Sequence, residues 1–199
     1  TMNNGWLWEI DHNNRTAFGY VYSSKYTTDD NALEEVQKHL GVTISDYRII
    51  KFKTGRLDKH WVGNVITLGN ADVFLEPLEA TSLMIIMHLS IHVADIIRYG
   101  DNMGDLPEQY NDFVNLYYDN IHDFIFAHFI YNKKLNTKYW KDYRKRSQLF
   151  TKNGIGNDML QHYLKNGVHL KFKSHIFSEE NPYGIEGWFA IFRGLDVNV

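Results

Sequence analysis

The sequence predicts an α+β chain in which a strand-rich first part is followed by a mainly helical second part. Three observations carry this. Before residue 75 the apolar residues come in short aromatic or alternating runs, the pattern of strands. From Glu76 onward they recur at helical spacing over long stretches. The 199 residues are 44% apolar and 23% charged, with no repeat and no low-complexity tract, so a packed core is within reach.

GWLWEI (Gly5 to Ile10) and TAFGYVYSS (Thr16 to Ser24) are aromatic-rich and β-prone, and the polar DHNNR between them predicts a hairpin turn. TTDDNALEEVQKHLG opens on Thr and Asp cap candidates and closes on Gly41 after Lys38 and His39, which predicts a short helix from Asp29 to Leu40. YRIIKFKTGR (Tyr47 to Arg56) alternates Ile50 and Phe52 with Lys51 and Lys53, the pattern of a half-buried strand. WVGNVITLG (Trp61 to Gly69) has a continuous apolar run and predicts a more buried one. From Glu76 a helix opens with Pro77 in its first turn and runs to Tyr99 before Gly100. Apolar residues nearly encircle it, so it is expected to be central and buried. A second long helix is predicted over Pro107 to Tyr131. Shorter ones follow near Lys138–Arg146, Asn157–Lys165 and in the closing GWFAIFRGL.

Composition excludes several classes. With no cysteine there are no disulfides, no thiolate nucleophile and no Cys-ligated metal. A net charge of −3 supplies no field for nucleic acid or anionic lipid. The longest apolar stretch, Leu83 to Ile97, is interrupted by His88, Ser90, His92 and Asp95 and falls short of the ~20 residues of a membrane span. No leader pattern opens the chain. The expectation is a cytoplasmic setting with no membrane or nucleic-acid partner. A first residue of Thr rather than Met is expected of a piece of something longer. His88 and His92, four apart, have metal-ligand spacing, but no HExxH pattern or third ligand accompanies them, so no metal is expected. His122 and His128 are read as structural.

Four segments in order carry a resemblance: WLWEI (Trp6 to Ile10), FGYVYSSKYTTDDNALEEV (Phe18 to Val36), FKTGRLDKHWVGNVITLGNADVFLEPLEATS (Phe52 to Ser82), and IHDFIFAHF with KYWKDYR (Ile121 to Arg144). Together they resemble flavin-dependent halogenases of the tryptophan-halogenase type. The family's Trp-x-Trp-x-Ile-Pro signature stands as Trp6, Trp8 and Ile10, with Asp11 in place of Pro. EPLEATS matches the family's active-site segment, with Ser82 where Gly is usual.

The resemblance implies residues 1–98 as the β-rich tail of an FAD-binding, flavin-monooxygenase-like module and 99–199 as a helical substrate module. The GxGxxG half and the family's oxidant-holding lysine are absent; GIG at Gly154–Gly156 does not complete the fingerprint. The implied chemistry uses reduced FAD, O2 and a halide ion, by way of a flavin hydroperoxide and hypohalous acid. Glu79 would be the active-site carboxylate; the alternative is a glutamate complementing the helix dipole. Thr81 and Ser82 would offer amides to the halide. Asn70, Pro77 and Leu83 would line the flavin. Trp6, Trp8, Tyr183 and Trp188 would wall the tunnel and substrate; for the two N-terminal tryptophans the alternative is cross-strand packing with Tyr20 or Tyr22.

The family's clamp for free tryptophan is not matched in the stretch from Phe177 to Phe189, so an indole-like or other electron-rich aromatic is the expected substrate. Implied partners are a separate flavin reductase and the missing N-terminal half, without which the fragment is expected to be inactive. A homodimer stays open. Two other functions remain: a flavin-dependent aromatic monooxygenase that hydroxylates, and a non-catalytic binding module.

Overall fold

The hairpin expected at the start forms, and its two faces part company. The computed structural model describes residues 1–100, 104–146, 150–167 and 181–197. In chain order the elements are β1 (Gly5–Asp11), β2 (Thr16–Tyr22), α1 (Asp29–Leu40), β3 (Gly55–Arg56), β4 (Trp61–Val62), β5 (Val65–Ile66), β6 (Val73–Phe74), α2 (Thr81–Tyr99), α3 (Leu106–Ile130), α4 (Lys138–Arg144), α5 (Gly156–Asn166) and α6 (Gly184–Gly194). The chain forms two compact units of two stretches each: Thr1–Lys51 with Phe129–Gln148, and Phe52–His128 with Leu149–Val199. Compactness thus divides the chain along other lines than the expected boundary near residue 98.

In the first unit β1 and β2 pair antiparallel, with Trp6 opposite Val21, Leu7 opposite Tyr20 and Trp8 opposite Gly19. Side chains alternate across a strand, so Tyr20 and Tyr22 share one face and the two tryptophans the other. The tyrosine face meets α1: Tyr20 OH donates to Glu35 (3.0 Å) and Tyr22 OH to Asp29 (2.6 Å). On the opposite face the Trp8 indole lies directly over Gly19, where a Cβ would overlap the ring. The helix α1 has the caps its sequence announced: Thr28 accepts from Asn31 N–H, and Gly41 takes the left-handed conformation (φ 68°) that stops it. α4 is fastened by buried Trp140, whose Nε1 donates to Met2 O at 2.7 Å.

The second unit is organised on α3, which buries Val114, Tyr117, Tyr118, Ile121 and Ala127 completely or nearly so. One side of α3 holds a buried polar network. His60 Nδ1–H donates to Asp72 Oδ1 (2.7 Å), Tyr118 OH to Asp72 Oδ2 (2.6 Å), and Thr67 Oγ1 to Asp72 Oδ1 (2.8 Å). Asn111 Oδ1 accepts from the backbone N–H of both His60 and Trp61. Further along, Asp123 accepts from the amides of Thr151 and Gly156, and Asn120 from that of Ile155. The GIG sequence therefore leads into α5 and is seated on α3. A Cβ at Gly154 or Gly156 would run into the Asp123 carboxylate. α5 and α6 pack through His162 and Tyr163 on one and Phe189 and Phe192 on the other.

Several expectations are corrected. The strand over Tyr47–Arg56 contracts to Gly55–Arg56, paired with Val73–Phe74, and Ile49, Ile50 and Phe52 are exposed. Alternation makes a strand only where a partner edge exists, and β6 offers two residues. The run from Trp61 is broken by Gly63 (φ 60°) into the tiny hairpin β4–β5, with Val62 and Val65 exposed. α2 starts at Thr81 rather than near Glu76, and it is not buried. Only Thr81, Ile85 and Leu89 are covered, while Leu83 (74%), Ile97 (68%), Met87 and Ile91 are open. The central helix is α3. With its preceding turn, α2 (Leu78–Tyr99, mean hydropathy 1.6 in its most apolar window) is long and apolar enough to cross a bilayer, beyond the length expected from the interrupted sequence run. Such a helix is weak evidence for a span, since an apolar face awaiting a protein partner has the same composition.

Candidate functional site: the strained turn before α2

The EPLEATS segment forms a tight turn whose backbone departs from what its residues prefer. Leu78 N–H donates to the Glu76 carboxylate (2.9 Å), closing the turn behind Pro77. A single 3-10 turn over Leu78–Ala80 follows. Within it Glu79 (φ 64°, ψ 12°) and Ala80 (φ 50°, ψ 32°) are both left-handed. For non-glycine residues this costs about 1–2 kcal/mol each, and such strain concentrates at functional sites. Ala80 is the N-cap of α2 and has no side chain to satisfy the first helical amides, and no side-chain cap is made. The turn therefore presents the Thr81 and Ser82 amides at the positive end of a 19-residue helix, with the Glu79 carboxylate beside them. Gly69 (φ 59°) supports the arrangement: its turn, Gly69–Ala71, packs so closely on α2 that a Cβ would strike Ile86.

Glu79 faces α3. Its Oε1 lies 3.5 Å from His128 Nε2, an ion-pair distance without hydrogen-bond alignment. Nε2 is buried and has no hydrogen-bond partner. Nδ1 donates to the Phe124 carbonyl at 3.0 Å, which fixes the ring. Burial pushes the imidazole below its ordinary value, outweighing the upward pull of the Phe124 carbonyl and the Glu79 charge. Phe124 stacks face to face on Tyr183, centroids 3.6 Å apart and planes 11° apart. The Tyr183 hydroxyl is also buried without a partner, and burial first, then the Glu79 charge, raises its phenol.

The expected site residues fall into three groups. Pro77, Glu79, Thr81, Ser82 and Leu83 come together on this turn, and exposed Asn70 sits on the supporting 3-10 turn. Tyr183 joins them through Phe124, with one ring face already taken by that stack. Trp188 does not wall a cleft: it is fully buried, packed edge-on against Phe124 and Phe150, its Nε1 donating to Asn181. Trp6 and Trp8 belong to the other compact unit. Their expected pairing with Tyr20 or Tyr22 is replaced by Val21 and Gly19 opposite them. The expected substrate stretch from Phe177 lies outside the described residues as far as residue 180.

His128, read from the sequence as structural, is the side chain that faces Glu79. Its only signal was its place in IHDFIFAHF, since its partner is 49 positions away. His88 bonds Tyr117 OH (2.9 Å) and His92 stacks on Phe113 (4.2 Å), lining a cavity of about 230 Å³ with Asp95. Among the described residues no group of three His, Asp or Glu could hold a metal ion.

The whole chain superposes on crystal structures of halogenases. It matches the tryptophan halogenase of Shewanella frigidimarina with a TM-score of 0.84 at 25% identity, and the tryptophan 5-halogenase MibH with 0.82 at 27%. In both cases it covers 100% of itself and 38% of the other chain. Tryptophan 7-halogenase RebH of Lentzea aerocolonigenes is 31% identical over 142 residues, 70% of this chain and 27% of RebH. The solved and curated relatives it resembles are halogenases. The chain belongs to the tryptophan halogenase family, whose model matches residues 1–197. It spans between about a quarter and two fifths of the length of these relatives.

Proposed function

We propose that this chain supplies the halide-binding turn and the base of an enzyme that halogenates an electron-rich, indole-like aromatic. The observation that carries the reading is the pair of left-handed residues, Glu79 and Ala80, leading into the uncapped N-terminus of α2. The chain's own residues fit a flavin. Exposed Asn70, Pro77 and Leu83 surround amides able to meet an anionic ring edge, and the open apolar side of α2 adjoins them. When bound, reduced FAD activates O2 to oxidise the halide, and a separate flavin reductase supplies the electrons.

The remaining steps belong to this chain. The Thr81 and Ser82 N–H groups hold the halide against the helix dipole. Ser82 keeps the donor and adds a hydroxymethyl group, which narrows the room for larger halides. The substrate ring attacks the oxidised halogen, delivered as hypohalous acid. Glu79 stabilises the positive charge that develops on the ring and accepts its proton. Tyr183, stacked on Phe124, borders the substrate side. Trp6 and Trp8 are assigned to the tunnel on the family signature alone.

The exposed face of α2 is where the flavin-binding remainder of the halogenase length would seat. Open apolar surface of this kind marks a place where a partner surface seats. The test is product mass in the whole protein carrying this chain, given reduced FAD, O2, indole and chloride or bromide. Halogen-bearing indole supports the reading. Hydroxylated product with no halogen at any halide concentration assigns the chain to the monooxygenase alternative instead.

A further inference from the structure

We propose that His128 is a positioning residue that governs the proton on Glu79, receiving at Nε2 the proton that Glu79 takes from the aromatic ring. This rests on Glu79 being the base of the site. The geometry has three parts. The Phe124 carbonyl accepts from Nδ1 and can only accept, so Nδ1 carries a hydrogen and the neutral ring presents a lone pair at Nε2. That lone pair is buried, unpartnered and 3.5 Å from Glu79 Oε1. Two acceptors this close lack only a proton between them, so the pair is placed to take up one proton that reaches Glu79.

The titratable group that acts on the imidazole is Glu79, from the turn before α2; Tyr183, from the segment leading into α6, stacks on Phe124 and feels the same Glu79 charge. Burial keeps the imidazole neutral near pH 7 and therefore able to accept. The step balances without any electron transfer between groups. After the carbon–halogen bond has formed, the ring C–H bond breaks and its electron pair restores aromaticity. The proton goes to Glu79 Oε1 and on to His128 Nε2. Glu79 returns to carboxylate beside an imidazolium, and the proton passes to water when product leaves.

The first test uses the 199-residue chain and long-range 1H–15N NMR of its histidines. His128 is expected as the Nδ1–H tautomer at neutral pH. Glu79→Gln is expected to lower its titration midpoint by about half a unit or more, a threefold loss of proton affinity. An Nε2–H tautomer or an unmoved midpoint overturns the proposal. The second test uses the whole protein carrying this chain, with indole, reduced FAD and bromide. His128→Gln is expected to lower kcat about tenfold or more with KM unchanged, and to move the acid limb of the pH–kcat profile to lower pH, where Glu79 alone sets it. A normal kcat with an unchanged profile overturns the proposal while leaving Glu79 in place, provided Glu79→Gln is inactive. Normal turnover by Glu79→Gln removes the underlying reading, and the relay with it.

Discussion

At the scale of single residues, Glu79 concentrates the argument, because its backbone strain, its exposure and its facing histidine are independent observations at one position. Glu79→Gln in the whole protein is expected to reduce halogenation by about 10²-fold or more while FAD binding, followed by flavin fluorescence, is retained. Flavin binding lost together with activity would assign Glu79 a structural role. Gly19 makes a different kind of prediction. Gly19→Ala places a methyl group inside the Trp8 indole, so the ring must leave its rotamer. The expected cost is about 1–3 kcal/mol, seen as a lower Tm together with a changed near-ultraviolet tryptophan signal. An unchanged signal would mean that the indole does not rest on Gly19. The carboxylate at position 79 was legible in the sequence through its motif. Its conjunction with His128 was not, because a contact between a turn and a helix 49 residues apart leaves no periodic trace.

Elements show the same contrast between local and distant causes. The hairpin, α1 and the ends of α3, α4 and α5 were legible to within a residue or two, since caps, turns and period are local properties. The extent of burial was not. α2 looks like a core helix by composition, yet α3 takes that place because it carries the polar groups that fasten other segments: Tyr118 on Asp72, Asp123 on the loop amides. The Asp72 network predicts an acid response. Burial alone would raise this carboxyl, but hydrogen bonds from His60, Tyr118 and Thr67, with the His60 charge, hold it below the usual carboxylate range. A lowered folded-state value contributes stability above the unfolded value, lost as pH falls through the folded one. The second unit is therefore expected to loosen below about pH 4. Asp72→Ala is expected to cost about 3 kcal/mol at pH 7, because three donors lose one acceptor, and to flatten the acid limb of the stability curve. An equally steep acid limb in the variant would place the response elsewhere.

For the molecule as a whole, the open side of α2 decides how it behaves in isolation. Leu83, Met87, Ile91 and Ile97 form an apolar surface that monomers rarely leave uncovered. Ile91→Glu is expected to reduce self-association of the chain, measured by light scattering, with a stability change within about 0.5 kcal/mol. The same variant should weaken association with the flavin-binding remainder. Tight binding by Ile91→Glu would show that the cover lies on another face. One consequence concerns synthesis. Each compact unit is closed by a later stretch of chain, the first by Phe129–Gln148 and the second by Leu149–Val199. Neither can be finished while its own N-terminal stretch alone has left the ribosome, so the nascent hairpin must wait through the translation of some eighty intervening residues, about 4–16 seconds at ordinary elongation rates. A nascent chain held that long with its partner segment still unmade is a natural client for a chaperone, and a chain stopped at His128 would leave both units incomplete.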